Sequence, residues 1–364
     1  MKGGGNGSRP WLLEHASSPS EASARKSAGS VIVACVLLVL IWLCRIIPGW
    51  ADFYSLHIYP IWSGVVSLLT CWIPFSLEEI LVVAAVIGVV FCLFRIRRRY
   101  IVLINILLWV AVWFYAGWGL NYYRSSIYQR AEKAPSSYES AAFASFLEWY
   151  TSSLEEVIDC ADKTLDTEDV EKDIKSYYTG LSDKWGLSRP KKWQHPKKLL
   201  FDRLYSGVGV LGFVGPFFNE IQINGDVLPR QYAYTYAHEL SHLLGVSSEA
   251  EANYWAFKAC SGSSSPEIRY SGYQSLLPYV VGNASRILPE EEYRKWLETV
   301  PEKAVEAMRE ESAYWNDLYS PFVGKIQDKM YNLYLKGNKV SEGTADYSGV
   351  VRMILSLDFS SRGN

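Results

Sequence analysis

The stretch AHELSHLLGVSSEAEANYWA, residues 237–256, contains two of the five histidines of the chain and three of its glutamates. It includes the pattern HExxH, from His238 to His242. Residues four apart on an α-helix project from the same face, so both imidazoles can bind one Zn²⁺ ion at ~2.0–2.1 Å. Glu239 lies beside them and can accept a proton from a water that zinc activates. The pattern therefore predicts a helix that carries part of a zinc hydrolase site.

A zinc site that catalyses hydrolysis needs a third protein ligand and one open position. Gly245 allows the chain to turn after the first helix. Ser247 and Ser248 are of a residue type that begins helices as the N-cap. Glu249 and Glu251 follow directly, so the sequence predicts that two carboxylates lie in the first turn of a second helix.

Glu249 is the preferred third ligand, and Glu251 is the alternative. Glu249 lies four residues before Asn253, so these two side chains share a helix face, whereas Glu251 points elsewhere. Asn253 is then placed to orient a histidine through a hydrogen bond to its second ring nitrogen. The sequence thus predicts a Zn²⁺ site formed by His238, His242 and Glu249, with Glu239 as the general base.

A structural role for the two histidines, in packing or in helix capping, is the alternative to a metal site. A strand, a turn, the HExxH helix, a glycine turn and a second acidic helix follow one another in the order that such a metal site requires, and this order favours zinc. The remaining histidines have no partners in a comparable pattern, and we expect them to be structural or incidental: His15, His57 and His195.

Composition argues against some classes of function. The chain has 364 residues and a formal net charge of −2, and this near-neutral balance argues against a nucleic-acid-binding protein. The sequence contains no glycine-rich phosphate loop and no internal repeat. Four of the six cysteines lie in apolar runs. For the other two, Cys160 and Cys260, we expect free buried thiols rather than a disulfide.

Hydrophobic residues are concentrated in the first third of the chain. Three apolar runs, at about residues 29–47, 79–94 and 100–120, are long enough to cross ~30 Å of hydrocarbon as helices. The segment 51–78 between the first two runs is apolar and aromatic, but two prolines and a glycine interrupt it. We expect this segment to be re-entrant or interfacial rather than a full span.

The distribution of basic residues predicts the orientation in the membrane. Residues 1–28, rich in Gly and Ser, predict a disordered tail, and this tail carries four Lys or Arg residues. The loop 95–99 carries four arginines, whereas residues 46–79 carry no Lys or Arg. Cytoplasmic loops are enriched in basic residues. We therefore expect a multi-pass cell-membrane protein with a cytoplasmic N-terminus and an extracytoplasmic domain at residues 122–364.

One glycine-rich stretch is the only convincing β region of this domain. Its segment FFNEIQIN, residues 217–224, ends in alternating apolar and polar residues that predict a strand. We expect this strand either to form the edge of the cleft, where an extended peptide can pair with it, or to be a plain edge strand. For the group that stabilises the oxyanion, Arg269, Tyr270 and Tyr273 are candidates by residue type alone.

The rest of the domain has mostly helical spacing. The predicted fold is therefore mainly α: transmembrane helices, then an α+β zincin-like domain with a small sheet and an HExxH helix at its site. Apolar residues of the two motif helices are predicted to form its core: Ala237, Leu240, Leu244 and Trp255.

At these residues the sequence resembles the gluzincin group of zinc peptidases, which combine HExxH with a downstream glutamate. The run EAEANYWA is similar to the E-x-x-A-[ND]-x-x-A segment of ImmA/IrrE-type peptidases. That resemblance covers about twenty residues and implies Glu249 as the third ligand, because the first glutamate of the segment binds the metal in those families. Metzincins differ, since they have a His or Asp at the position of Ser248, and thermolysin-like enzymes have a longer spacer before the glutamate.

A longer part of the chain resembles an uncharacterised bacterial family of membrane-anchored HExxH proteins, a domain of unknown function. The similar segments extend from the apolar runs to near the C-terminus: GWGLNYYR, GPFFNEIQIN, AHELSHLLG, EAEANYWAFKAC and RYSGYQ. This resemblance implies the architecture and a metal site, but it implies no substrate.

Together these observations predict a membrane-anchored zinc metallopeptidase that hydrolyses peptide bonds, with a peptide or protein substrate and the lipid bilayer as its partners. One alternative is a membrane scaffold or sensor whose zinc is structural. Another is a zinc hydrolase that acts on a non-peptide substrate of the cell envelope.

Overall fold

The structure, a computed structural model, describes residues 19–95, 99–138, 140–161, 163, 165–181, 183–321 and 349–359. It is mainly helical and contains one small sheet of three strands. Apolar helices come first in the chain, and a helical domain that carries the sheet and the HExxH motif follows them. This part of the prediction is confirmed.

Among the described residues, three helices are long and apolar enough to cross a membrane: α1 (Pro19–Ile46), α4 (Leu77–Arg95) and α5 (Arg99–Gly117). Most of their large apolar side chains are exposed, because little of the protein packs around them. Helix α1 begins at Pro19, so residues 19–28, which lie within the tail predicted for residues 1–28, are helical. Residues 1–18 of that tail lie outside the described residues.

The segment between α1 and α4 is a helix over most of its length. It consists of α2 (Trp50–Phe53), a π-helical turn (Tyr54–Ile58) and α3 (Tyr59–Thr70). Both ends of this helix contact the domain that follows α5. Asp52 accepts hydrogen bonds from the amide and the hydroxyl of Ser125, and the Lys197 ammonium donates to the Thr70 carbonyl at 2.8 Å. The helix therefore lies along that domain.

The domain after α5 contains the remaining helices. A 3₁₀ turn (Gly119–Tyr123) connects α5 to it. The helices are α6 (Ile127–Arg130), α7 (Ser140–Glu155), α8 (Thr167–Gly180), α9 (Asp202–Ser206), α10 (Pro229–Leu243), α11 (Glu249–Ser261), α12 (Pro266–Ile287), α13 (Glu290–Leu297), α14 (Glu302–Leu318) and α15 (Val350–Ile354).

Helices α10, α11 and α12 pack against one another at the centre of this domain. The four residues predicted for the core are at most 1% exposed: Ala237, Leu240, Leu244 and Trp255. Burial of a large apolar side chain contributes roughly 1.5–3 kcal/mol, so this packing fixes the helices that carry the motif. Cys160 and Cys260 are buried free thiols, as predicted.

The sheet consists of β1 (Lys197–Lys198), β2 (Gly212–Gly215) and β3 (Glu220–Ile223), in the order β1-β3-β2. Strand β3 lies in the centre and pairs with β1 in parallel and with β2 antiparallel. Both alternatives predicted for residues 217–224, the edge of the cleft and a plain edge strand, are therefore wrong. Both sides of β3 are hydrogen-bonded to neighbouring strands, and β2 is the edge strand next to α10.

Candidate metal centre

Helix α10 positions both histidines of the motif. It begins at Pro229, whose ring fixes a helical φ in the first turn, and it places the rings of His238 and His242 with their centroids 4.7 Å apart. The chain then reverses at Gly245, which has a φ of 99°. Residues with a side chain rarely adopt this conformation, so glycine permits α11 to return beside α10.

Three possible ligand atoms meet at one point between α10 and α11. Nε2 of His238 lies 3.0 Å from Nε2 of His242 and 3.1 Å from Oε2 of Glu249. Nε2 of His242 lies 3.4 Å from the same oxygen. Ligand atoms ~2.0–2.1 Å from a tetrahedral zinc ion are about 3.3 Å from one another. The spacing of the three atoms therefore fits three ligands of one zinc ion.

The second nitrogen of each ring has its own partner. Nδ1 of His238 lies 2.9 Å from Oδ1 of Asn253, and Nδ1 of His242 lies 2.8 Å from the carbonyl oxygen of Val246. Because a carbonyl oxygen is only an acceptor, these contacts favour the tautomer that carries its hydrogen on Nδ1. The lone pairs of both Nε2 atoms then point at the Glu249 carboxylate, as they do in metal sites. Asn253 has the orienting position that the sequence predicts.

The two glutamates proposed as the third ligand have different partners in the structure. Glu249 reaches the histidines, whereas Glu251 forms a buried ion pair with Arg130 and accepts a hydrogen bond from Trp255 at 3.1 Å. Ser248 is the N-cap of α11, and its hydroxyl accepts a hydrogen bond from the amide of Glu251. Glu249 is thus the first residue of the helix and lies closest to α10.

The charges of the ligand atoms affect one another strongly. Burial disfavours the imidazolium form of His242, but the nearby Glu249 carboxylate outweighs this effect and raises the pKa of His242 to about 9. Burial also opposes ionisation of Glu249, yet the two histidines hold the pKa of this carboxyl well below its usual range. The site therefore attracts positive charge, either protons or a cation.

Glu239 lies next to this cluster and is 5% exposed. Its Oε2 atom is buried without a hydrogen-bond partner. Burial raises the pKa of Glu239, and the nearby histidines oppose that rise. Strand β2 passes close above it, since a Cβ atom added to Gly212 would lie 3.0 Å from Cγ of Glu239. A buried carboxylate oxygen that lacks a partner is available to a water or to a reacting group.

A cavity of about 510 Å³ opens beside the cluster. The two histidines, Glu239 and Glu249 lie on its floor, β2 forms one wall, and Trp118 and Tyr122 line another part. The cavity is large enough for several residues of a peptide, and typical ligand pockets measure ~300–1,000 Å³.

The three candidates for an oxyanion-stabilising group do not line this cavity. The Tyr270 hydroxyl donates to Gln274, and the Tyr273 ring packs against Trp149 and Tyr150 in the core. Arg269 also lies away from the cavity. That prediction is wrong, because residue type alone does not say which face of α12 meets the site.

Two tyrosines that the sequence analysis did not single out, Tyr234 and Tyr279, do line the cavity. Both hydroxyls contact the side chain of Asn253. Burial, together with the Glu249 charge, raises the pKa of Tyr279 to about 12, so this hydroxyl remains a hydrogen-bond donor at neutral pH. Tyr279 lies nine residues, two and a half turns, after Tyr270, so the two tyrosines lie on opposite faces of α12, and no pattern in the sequence indicates which face meets the site.

The other histidines take no part in the cluster. His195 is exposed and contacts Glu171 at 2.8 Å, and the ring of His57 packs against Phe53. His15 lies outside the described residues. Among the described residues, His238, His242 and Glu249 are the one group of three or more His, Cys, Asp or Glu side chains with the spacing of a metal site.

Comparison with known proteins gives one result. A family model described as "Protein of unknown function (DUF3810)" matches residues 54–355. No curated protein and no solved structure matches the chain.

Proposed function

Because the chain belongs to the DUF3810 family, whose function is unknown, its site has to indicate what it does, and we propose that it is a membrane-anchored zinc metallopeptidase. The observation that carries this proposal is the convergence of three ligand atoms, 3.0–3.4 Å apart, beside a buried carboxylate oxygen that has no partner. His238, His242 and Glu249 would hold Zn²⁺, with Asn253 and the Val246 carbonyl orienting the rings.

A zinc ion held at this position would act as a Lewis acid and make water nucleophilic near neutral pH. Glu239 accepts a proton from the attacking water at its unpartnered Oε2 atom. The water oxygen forms a bond to the carbonyl carbon of the substrate, the C–N bond breaks, and Glu239 returns the proton to the leaving amine. Burial favours this cycle, since it raises the pKa of Glu239 toward the range in which a carboxyl can both accept and release a proton.

The walls of the cavity favour a peptide as the substrate. Strand β2 pairs with β3 along one edge of the sheet, and residues of β2 line the cavity. An extended peptide can add to such an edge through main-chain hydrogen bonds. The Tyr279 hydroxyl is a donor on the same cavity, and it is our candidate for stabilising the oxyanion in place of the three residues predicted from the sequence.

A structural zinc site in a scaffold or sensor is the competing function. A structural site is usually closed by four protein ligands. Here the second acidic residue, Glu251, is bound to Arg130, and a cavity opens beside the three ligand atoms. These observations favour a site with one position open to substrate. We also propose that the domain is extracytoplasmic, because most of the basic residues beside the three apolar helices flank their other ends, whereas one, Arg45, lies at the domain end of α1.

The test uses the full chain in detergent or nanodiscs. Bound zinc is measured by mass spectrometry for the wild type, Glu249→Gln and Glu251→Gln. We expect about one zinc per chain in the wild type and in Glu251→Gln, and a large loss in Glu249→Gln. Peptide hydrolysis is then compared between the wild type and Glu239→Gln. Folded wild-type protein without zinc would contradict the metal site, and hydrolysis that does not depend on Glu239 would contradict the mechanism.

A further inference from the structure

A small group of exposed apolar residues lies between β1 and β2. Among residues 118–321 and 349–359, the exposed large apolar side chains are Leu200, Phe201, Leu204 and Tyr319. The first three, here called the apolar tip, lie within five residues and are 46–55% exposed. Single exposed apolar residues are ordinary, whereas a cluster of them indicates a surface that contacts an apolar partner.

The apolar tip is tied to the beginning of helix α4. The buried carboxylate of Glu79, in the first turn of α4, accepts hydrogen bonds from the amides of Leu200 and Phe201 at 2.6 and 3.2 Å. Lys198, which lies two residues before Leu200, forms a parallel β-bridge with Phe75, just before the start of α4. The tip therefore lies at the end of a helix that is long and apolar enough to cross a membrane.

The helix formed by α2 and α3 presents a second apolar surface. Its face toward the domain consists of small or polar residues, and the Trp193 indole donates to the Gly64 carbonyl on that face. Its other face is apolar and exposed: Trp50, Phe53, Leu56, Ile58, Ile61, Trp62, Val65, Leu68 and Leu69. Because Thr70, at the end of this helix, contacts Lys197, the second surface reaches the same junction as the apolar tip.

The cavity of the metal centre lies between these membrane-facing features. Trp118, on its wall, directly follows the last residue of α5, and Tyr122, also on the wall, lies in the 3₁₀ turn that comes next. Pro216, also on the wall, packs against Gly117, and the next residue, Phe217, places its ring 5.2 Å from that of Trp113 in α5. The residues that follow the apolar tip, 208–211, form the other side of the opening.

We propose that the substrates are membrane proteins, cleaved in the segment that directly adjoins the outer surface of the bilayer. This inference rests on the proposed peptidase function and adds the class of substrate. The apolar tip and the outer face of α2 and α3 insert into the lipid, since both are continuous with the ends of the apolar helices. The mouth of the cavity then lies at the headgroup level, where a chain that leaves the bilayer passes beside β2.

The physical advantage of this arrangement is local concentration. A segment tethered to a transmembrane helix in the same bilayer stays in the layer that the cavity faces. Tethering of this kind produces effective concentrations up to the millimolar range without any added contact. A soluble peptide has to reach the same layer from the bulk solution and receives no such gain.

The experiment places one pool of random decapeptides in three contexts, with the full-length protein reconstituted in liposomes. The pool is supplied free, fused to an apolar transmembrane helix through a short linker of ~3 residues, or fused through a flexible linker of ~40 residues, whose end-to-end distance is roughly 35 Å. Cleavage is followed by mass spectrometry, and Glu239→Gln is the background in every arm. The long linker keeps the tether but moves the peptide away from the surface.

We expect the short-linked pool to be cleaved at least ~10-fold faster than the free pool and faster than the long-linked pool. Replacing the tip with glutamines (Leu200→Gln, Leu204→Gln) should reduce this preference and leave cleavage of the free pool unchanged, because these side chains do not line the cavity. Tyr319→Gln, an exposed apolar residue outside the tip, is the matched control and should keep the preference.

Two other outcomes would each overturn a different proposal. Equal, Glu239-dependent cleavage of short-linked and long-linked pools would overturn the inference about substrates and leave the peptidase function intact. A wild type that cleaves none of the three pools above the Glu239→Gln background would overturn the proposed function, and the substrate class with it.

Discussion

Buried carboxylates occur at several places among the described residues, and the surroundings of two of these places differ. At the junction between the sheet and α4, formed by Glu79, Lys197 and Glu220, the acids are matched by protein donors. The Lys197 ammonium lies 2.5 Å from Glu220, and backbone amides bind Glu79 and the second oxygen of Glu220. At the candidate metal centre, Oε2 of the Glu249 carboxylate meets the Nε2 atoms of two imidazoles.

The difference shows what each cluster requires. Burying a charge is costly unless it is paired and hydrogen-bonded, and protein groups alone supply the partners of Glu79 and Glu220. At the metal centre the three converging atoms are acceptors in their metal-binding forms, so a shared cation or proton completes the cluster. We therefore expect the junction to contribute stability and the metal centre to contribute chemistry.

The largest effect is expected for the loss of a histidine ligand. His238→Ala should reduce bound zinc from about one per chain to below about 0.1, because two ligands hold zinc far more weakly than three. Metal content is measured by mass spectrometry after dialysis. His195→Ala is the matched control, since His195 is an exposed histidine outside the cluster, and it should keep its zinc. Equal zinc content in His238→Ala and His195→Ala would mean that His238 is not a zinc ligand. The candidate metal centre would then no longer differ from the junction in requiring a cation.

The next effect concerns the general base. Glu239→Gln removes the proton acceptor and keeps the shape of the side chain, so peptide hydrolysis should fall by about 10²–10⁴-fold while the zinc content stays the same. Initial rates on the free peptide pool and metal analysis of the same sample measure both quantities. A loss of zinc in this variant would mean that Glu239 is a ligand and not a base.

At the junction, Lys197→Met should lower the free energy of unfolding by about 3–5 kcal/mol, because it leaves the buried Glu220 carboxylate unpaired. Zinc content of the folded protein should not change. Lys172→Met is the control, since Lys172 forms an exposed ion pair with Glu168, and exposed pairs contribute little to stability. Denaturant titration in detergent measures both variants. Similar stability for the two would contradict a structural role for the junction.

The smallest effect is expected for the residue that orients His238. Asn253→Ala removes the acceptor at Nδ1, and zinc affinity should fall by about 10–100-fold. Competition with a zinc chelator of known affinity measures the change. Asn283→Ala replaces another buried asparagine, one on α12 that bonds Tyr138, and serves as the control. Unchanged zinc affinity in Asn253→Ala would show that ring orientation does not depend on this contact.

The sequence predicts the two histidine ligands of the site better than it predicts the third ligand. The histidines are four residues apart on one helix, so helical geometry alone places their rings together. The choice of Glu249 over Glu251 also depends on Arg130, which lies far from both in sequence and binds the competing carboxylate. The pattern around Asn253 favoured Glu249, but the partner of Glu251 could not be read from the sequence.

The wrong predictions concern elements whose neighbours are distant in sequence. The alternation in residues 217–224 identifies a strand, but strand order depends on pairing with β1 and β2, and alternation carries no information about pairing. The tyrosines proposed for the oxyanion failed for a related reason. Both lie on α12, and the face of this helix that meets the cavity is determined by how it packs against α10 and α11.

By itself, the sequence determined the features that depend on local periodicity and length: three apolar helices, the HExxH helix, the turn at Gly245 and an N-cap at Ser247 or Ser248. Tertiary structure decided which carboxylate faces the histidines, which strand borders the cavity and where the cavity lies relative to the apolar helices. The physical reason is that helix formation and hydrophobicity are encoded within a few turns of chain. A site assembled from distant segments exists only after those segments have packed.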